Sequence, residues 1–547
     1  MDDAPQGQRL SWRTRLLDRL ASPALKLPST TTAVRRLQTD VATRDGEQLK
    51  TDVFLPVAGQ AKATVLIRSP YGRGFPLDVT LARPLASRGY QVVVQSVRGR
   101  SGSTGAFDPM VNEAADGLDT VAWLREQPWF TGRLAAVGGS YLGFAAWALL
   151  ADAPEELEAA VLVVGPHDFA DGIYGSGAFA LGDFFGWSEA MTAPDDVGLV
   201  RQAREIAAAR RRGTPDLTGL PLPAAGAALL EGKAPWFAAW AAHDDVDDTF
   251  WAPYRLGRAL ESSTVPTLLI GGWYDAFLEQ TLEQHRALRD RDVPVGLTIG
   301  PWRHMDTVTK AAAEVTRETL TWLDGRFDPA TGHTPAVRTF VTGADEWRED
   351  WPAPTVDVEL AVAHGKLGEG DDGISTFTFD PSDPTPSVGG RLLSPMGAGV
   401  QDNRGLLKRP DVATFAGEPL TQPWEICGRP ELALAISVSN PHADVFVRLC
   451  EVDPKGRASN VADGFLRLDP TVPADRVQRL SLALDPCYHR VKAGNRLVLL
   501  VAGGAHPRFA RNLGTGEPAA TGTAVSPQPH TVHHTGTTLR LPLAKTD

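Results

Sequence analysis

The sequence predicts an α/β core, interrupted by a helical insertion and followed by an all-β domain. Three observations predict it. Up to about residue 330, short runs that are apolar on both faces alternate with helix-like stretches, as in a parallel sheet buried between helices. From about 167 to 262 a Trp-, Phe- and Ala-rich stretch breaks that rhythm. Beyond 330, alternating runs separated by Gly, Pro and Asp suit a sandwich or jelly roll. A length of 547 residues fits several structural units at roughly 150 residues each.

Taken in order, residues 1–30 form an N-terminal arm in which Leu10, Leu16, Leu17 and Leu20 suit a short amphipathic helix. Residues 31–166 form the first part of the core. They open with a hairpin, VATRDGEQLKTDVFL, turned at Asp45-Gly46. The core strands expected are TVLI (64–67), QVVVQSV (91–97), RLAAVGG (133–139), AVLVVG (160–165), TLLIGG (267–272) and VGLTIG (295–300). Leu118, Val121, Ala122 and Leu124 mark one helix, and Leu278, Leu282, His285 and Leu288 another. The insertion, 167–262, falls where a lid over the strand ends would sit. Its basic run Arg210-Arg211-Arg212 reads as a solvated helix end. Residues 263–329 complete the core. Residues 330–547 carry AVRTFV (336–341), VDVELAV (356–362), STFTF (375–379), LALAISV (432–438), DVFVRL (444–449), RLSLAL (479–484), NRLVLLV (495–501) and TLRLPL (538–543).

Composition narrows the function. The net charge of −12, with no basic stripe, argues against nucleic acid as a partner. Cys427, Cys450 and Cys487 make neither a disulfide framework nor a zinc knuckle, and read as small buried apolar side chains. No run approaches the roughly 18 apolar residues of a membrane span, and the acidic N-terminus lacks a signal-peptide core. A cytoplasmic protein is expected.

The chemistry gathers at strand ends. Gly138-Gly139-Ser140-Tyr141-Leu142-Gly143 lies between a strand and the helix-like FAAWALLA, where small residues let the backbone turn sharply and expose a serine. The helix that follows aims its N-terminal N–H groups at the same spot. Leu142 stands where the general G-x-S-x-G pattern has its second glycine, so this motif alone does not separate a nucleophile from a structural turn. A serine also needs a histidine to take its proton and a carboxylate to orient the imidazole. Asp275 follows the fifth strand, in GGWYD, and His304 the sixth, in GPWRH, in the chain order Ser, Asp, His of α/β-hydrolases. Tyr71, after the first strand, stands where half of an oxyanion hole would lie. The glycine-rich loop 95–105 lacks a Walker lysine and reads as a turn bracing the site floor. No H-E-x-x-H or comparable ligand set is present, and neither metal nor cofactor is called for. His533-His534 reads as part of a terminal strand.

With these residues in view, the chain resembles the CocE/NonD group of serine hydrolases, related to bacterial cocaine esterase and to X-Pro dipeptidyl-peptidases. The resemblance covers about residues 35–545. It rests on RDGEQLKTDVFLP, RSPYGRG, VRGRSGSTGAF, EAADGLDTVAWLREQPW, GGSYLGF, GGWYDAF, GPWRH, TGADEWRED and HPRFARNLGTGE. The group's pattern G-x-S-Y-x-G is filled by Gly138, Ser140, Tyr141 and Gly143. The resemblance implies an α/β-hydrolase core, a helical lid and a C-terminal jelly roll. It implies Ser140 as nucleophile, His304 as general base and acid, and Asp275 as its orienter. The Tyr71 hydroxyl and Tyr141 N–H would hold the oxyanion, and Trp187, Trp273 and Phe277 would form an apolar acyl pocket. The substrate implied is a small-molecule carboxylic ester, with an amide, as in an X-Pro dipeptidyl-peptidase, as the alternative. Related α-amino-ester hydrolases carry acidic residues two and three positions after the triad Asp, where this chain has Phe277 and Leu278. The acidic run Asp244, Asp245, Asp247 and Asp248 reads as a solvated face or cap. A catalytically silent scaffold with a ligand-binding β-domain is the reading from another class, and a homodimer is left open.

Overall fold

The computed structural model describes residues 8–9, 25–30, 32–193, 215–328, 330–331, 336–351, 354–394 and 397–544. The expected N-terminal amphipathic helix and the basic run 210–212 lie outside the described residues. Among the described residues the first sheet has eleven strands: β1 (Gln8–Arg9), β2 (Val34–Ala42), β3 (Gln48–Pro56), β4 (Thr64–Ser69), β5 (Gln91–Ser96), β6 (Leu134–Gly139), β7 (Leu157–Val163), β8 (Thr267–Tyr274), β9 (Val295–Arg303), β10 (Val337–Val341) and β11 (Glu346–Arg348). Their spatial order is β1-β2-β3-β5-β4-β6-β7-β8-β9-β10-β11. From β5 to β10 neighbouring strands run parallel. Parallel neighbours need crossovers. Helices Glu113–Arg125, Tyr141–Leu150, Leu278–Arg289 and Ala312–Phe327 supply four of them. Every residue of β4 and β5 is buried, which explains why both faces of these strands are apolar in sequence.

The order of strands positions the site. From β4 the chain steps one way to β5 and then returns to place β6 on the other side of β4. Such a reversal opens a crevice at the carboxyl ends of the strands. Tyr71 lies just beyond β4 and Ser140 directly after β6, on the two sides of that crevice.

One strand departs from expectation. The run 336–341, read as the first strand of the β-domain, pairs parallel with β9, with Val337 opposite Leu297, and so extends the core sheet. The Ala312–Phe327 helix brings the chain back alongside β9, and β11 then folds antiparallel onto β10 as a short edge strand. The insertion is helical among its described residues: Phe169–Tyr174, Leu181–Thr192, Leu222–Leu229, Pro235–Ala242, the 3₁₀ turn Thr249–Tyr254 and Gly257–Ser262.

Twelve further strands, β12 (Val356–Ala363), β13 (Lys366–Gly368), β14 (Ile374–Phe379), β15 (Val412–Ala416), β16 (Trp424–Gly428), β17 (Glu431–Val438), β18 (Asp444–Val452), β19 (Ala458–Arg467), β20 (Gln478–Ala483), β21 (Cys487–Val491), β22 (Arg496–Ala502) and β23 (Gln528–Ala544), make the all-β domain. Its core includes Leu434, Val447, Leu499 and Leu541. β23 pairs with β12, β14, β16 and β17. All three cysteines are buried thiols outside any disulfide, and burial pushes Cys427 and Cys450 up to about 12. His533 and His534 on β23 bond to Ser437 and Ser375 at 2.9 Å each. No helix among the described residues is long and apolar enough to cross a membrane, and none of their His, Cys, Asp and Glu side chains cluster as a metal site would require.

Candidate active site

Ser140 occupies the turn between β6 and the helix Tyr141–Leu150 with φ 57° and ψ −123°, a conformation that costs a non-glycine residue on the order of 1–3 kcal/mol. The surroundings enforce it. The Ser140 N–H donates to the Val163 carbonyl on β7 at 2.8 Å, and its own carbonyl accepts from Gly143 and Phe144 at 2.8 and 3.0 Å. Two glycines are sterically required. A Cβ on Gly138 would meet the Leu142 carbonyl oxygen at 2.1 Å, and one on Gly143 would meet the Gly165 Cα at 2.7 Å. Gly143 thus lets the helix lie against the end of β7. The Tyr141 N–H is the first of this helix and lacks a partner within it.

His304 and Asp275 arrive from the ends of β9 and β8. His304 Nε2 lies 2.8 Å from Ser140 Oγ, and its Nδ1 lies 2.6 Å from Asp275 Oδ1. Asp275 is fully buried, and its other oxygen accepts the Phe277 N–H at 3.0 Å. With one imidazole proton facing a buried carboxylate, Nε2 is left to accept the serine proton. Arg303 holds the turn that follows: its Nη2 and Nε donate to Asp306 at 2.8 and 2.9 Å, and Thr307 donates to the His304 carbonyl at 2.8 Å.

The aromatic residues around the serine form a linked set. About half of Tyr71 is exposed, but its hydroxyl end turns inward, beside the Ser140 hydroxyl, where burial raises its pKa. That oxygen accepts the Trp187 indole N–H at 3.0 Å. The Tyr141 ring stacks on Trp187, with centroids 6.3 Å apart and planes inclined by 10°. The Tyr141 hydroxyl donates to buried Glu113 at 2.7 Å and accepts the Met110 N–H at 3.0 Å. Glu113 pairs in turn with Arg68 at 2.8 Å. The loop 95–105 braces this floor: Arg100 donates to the carbonyls of Pro70 and Met191 at 3.2 and 2.9 Å.

A cleft opens beside Ser140. Trp187 and Phe277, both expected in an acyl pocket, line it together with Met110, Phe169, Phe184 and Leu393. Trp273 does not. Its indole N–H donates to the Phe340 carbonyl at 2.6 Å and its ring packs beside Trp351, because it points away from the serine at the end of β8. Sequence reasoning missed Phe169, Phe184, Met110 and Leu393. Phe184 carried a signal, since it stands one helical turn before Trp187 and shares its face. Leu393 carried none, because it reaches the cleft from the β-domain segment. Asp183, buried on the same helix as Trp187, accepts the Leu393 and Ser394 N–H groups at 2.9 and 3.4 Å.

The fold and this constellation define a serine hydrolase of the α/β-hydrolase class. Residues 45–306 match the family model of the X-Pro dipeptidyl-peptidase (S15 family), and residues 330–540 that of the X-Pro dipeptidyl-peptidase C-terminal non-catalytic domain. The chain is similar to a cocaine esterase of Rhodococcus sp., with 29% identity over 531 residues covering 87% of this chain and 92% of the relative. Its fold is shared with an α-amino acid ester hydrolase (TM-score 0.78, 22% identity, covering 95% and 98% of the two chains). A CocE/NonD family hydrolase of Staphylococcus aureus also shares it (TM-score 0.65, 16% identity, 94% of each). The chain thus carries both the catalytic and the C-terminal domain of X-Pro dipeptidyl-peptidase-like hydrolases, and it resembles the CocE/NonD group among them.

Proposed function

We propose that the protein hydrolyses small carboxylic esters through Ser140, His304 and Asp275. The observation that carries this reading is the unbroken contact from Asp275 Oδ1 to His304 (2.6 Å) and from His304 to Ser140 Oγ (2.8 Å), opening on a cleft walled by aromatic and aliphatic side chains. Ser140 Oγ attacks the ester carbonyl while His304 Nε2 takes its proton, and Asp275 stabilises the resulting imidazolium. The Tyr71 hydroxyl and the Tyr141 N–H donate to the oxyanion. His304 then protonates the departing alcohol, leaving an acyl-Ser140 enzyme. A water that gives its proton to His304 attacks the acyl carbon and releases the acid.

The dipeptidyl-peptidase alternative needs an anionic group for the substrate's ammonium. Among the described residues lining the cleft beside Ser140, none is acidic. The run 244–248 is exposed and closes its own turns, with Asp248 accepting the Phe250 N–H at 2.8 Å and Asp245 the Asp247 N–H at 2.9 Å. These observations favour the ester reading. A cytoplasmic location and a homodimer belong to the same proposal, and fractionation and light scattering test them.

The deciding experiment compares p-nitrophenyl butyrate with Gly-Pro-p-nitroanilide, using Ser140→Ala as the blank. The ester is expected to turn over, with kcat falling on the order of 10⁶-fold in the variant, and the anilide to stay near background. Faster anilide than ester turnover would replace this reading with the peptidase. Ester turnover that survives in Ser140→Ala would remove the serine mechanism.

A further inference from the structure

We propose that Trp187, beyond lining the cleft, is a positioning residue of the oxyanion site, aiming the Tyr71 proton through the hydrogen bond from its indole to the phenol oxygen. The inference rests on the ester-hydrolase reading and deepens it. A phenol carries one O–H and rotates it to suit its surroundings, whereas an indole N–H only donates. With the Trp187 N–H arriving at the Tyr71 oxygen at 3.0 Å, the phenol proton has no acceptor on that side. It turns to the other in-plane position, toward Ser140, beside which the hydroxyl lies. The direction of the donor is thereby set before substrate arrives. The oxygen of a tetrahedral intermediate, developing next to Ser140 Oγ, then receives an O–H already aimed at it, with little reorganisation. The same N–H stabilises negative charge on the phenol oxygen as its proton shifts toward the oxyanion, making Tyr71 a stronger donor in the transition state than in the ground state.

The indole is itself held from three sides. Tyr141 stacks on one face, and the rings of Trp236 and Trp240 lie 6.3 and 5.8 Å away. Tyr141 is pinned through its hydroxyl by Glu113 and Met110. The residue whose backbone N–H is the proposed second oxyanion donor therefore also supports, through its side chain, the residue that aims the first.

The test is a double-mutant cycle on p-nitrophenyl butyrate hydrolysis with Trp187→Phe, Tyr71→Phe and the double variant. Trp187→Phe keeps an aromatic ring on Tyr141 and removes the N–H. We expect kcat to fall about three- to tenfold with KM little changed, the size of one modest hydrogen bond. Tyr71→Phe is expected to lose on the order of 10²–10³ in kcat. In the Tyr71→Phe background, Trp187→Phe should cost almost nothing further, whereas a packing effect would persist there. Losses that multiply in the double variant overturn the proposal. So does a Tyr71→Phe enzyme with unchanged kcat, which removes Tyr71 from the oxyanion site while leaving the hydrolase reading to stand or fall on Ser140→Ala. Should Trp187→Phe fail to fold, β-(3-benzothienyl)alanine at 187 keeps the bicyclic shape, replaces the N–H with sulfur, and is read the same way.

Discussion

At the scale of single residues, Tyr141 does two separable things. Its backbone stands at the elbow, and its hydroxyl ties together Glu113 and the Met110 N–H. Met110 sits at φ 72°, a left-handed conformation unusual for its side chain, and it lines the cleft. Tyr141→Phe leaves the elbow N–H in place but strands a buried donor and removes one partner of a buried carboxylate. The expected loss is about 1–3 kcal/mol of stability, read as a lower denaturant midpoint with an unchanged slope. The meeting of Ser140, Asp275 and His304 was legible in sequence because each closes an apolar run, and strand ends are where this sheet type brings side chains together. The Tyr141 hydroxyl was not, since nothing in GGSYLGF says that a tyrosine faces a glutamate 28 residues earlier. Trp273 misled for a related reason. Proximity in sequence to Asp275 says nothing about which way a side chain leaves the strand.

At the scale of elements, the strand–helix unit around Ser140 depends on Gly143. Alanine is about 1 kcal/mol better than glycine within a helix. Here, however, the added methyl would press on the Gly165 backbone at 2.7 Å, where no flexible side chain can yield. Overpacking of this kind costs about 1–3 kcal/mol and should win. Gly143→Ala is thus expected to lower the thermal midpoint and to slow ester hydrolysis by displacing the elbow. A higher midpoint would show that the β7 end gives way. Strand identity was largely readable from apolar runs. Partnership was not: β10 alternates like a sandwich strand, and only the crossover helix before it decides that it joins the parallel sheet. The short strands β13 and β15, of 3 and 5 residues, fall below what periodicity can register.

At the scale of the whole molecule, Asp183 joins the helical insertion to the β-domain by accepting the N–H groups of Leu393 and Ser394. Burial pushes its pKa up to about 6, against the opposing pull of these N–H groups, Arg508 and His304. A carboxyl raised in the folded state binds its proton more tightly there than in the unfolded chain. Its stabilising contribution is therefore complete below the unfolded value near 3.9 and is lost as pH rises through about 6. Relative to Asp183→Asn, the wild-type protein should lose up to about 3 kcal/mol of stability between pH 4 and pH 7, measured by denaturation at each pH. A difference that stays flat across that range would mean the carboxyl titrates normally.

The long strand β23 has a consequence for how the molecule is made. It bridges β12, β14, β16 and β17, and it follows every one of them in the chain. The core sheet, complete at Arg348, precedes all of these strands in the chain and can form before β23 is made. Until β23 emerges, β12, β14, β16 and β17 lack the one partner they share. The arrival of β23, made after every strand it joins, is the step that lets the β-domain close.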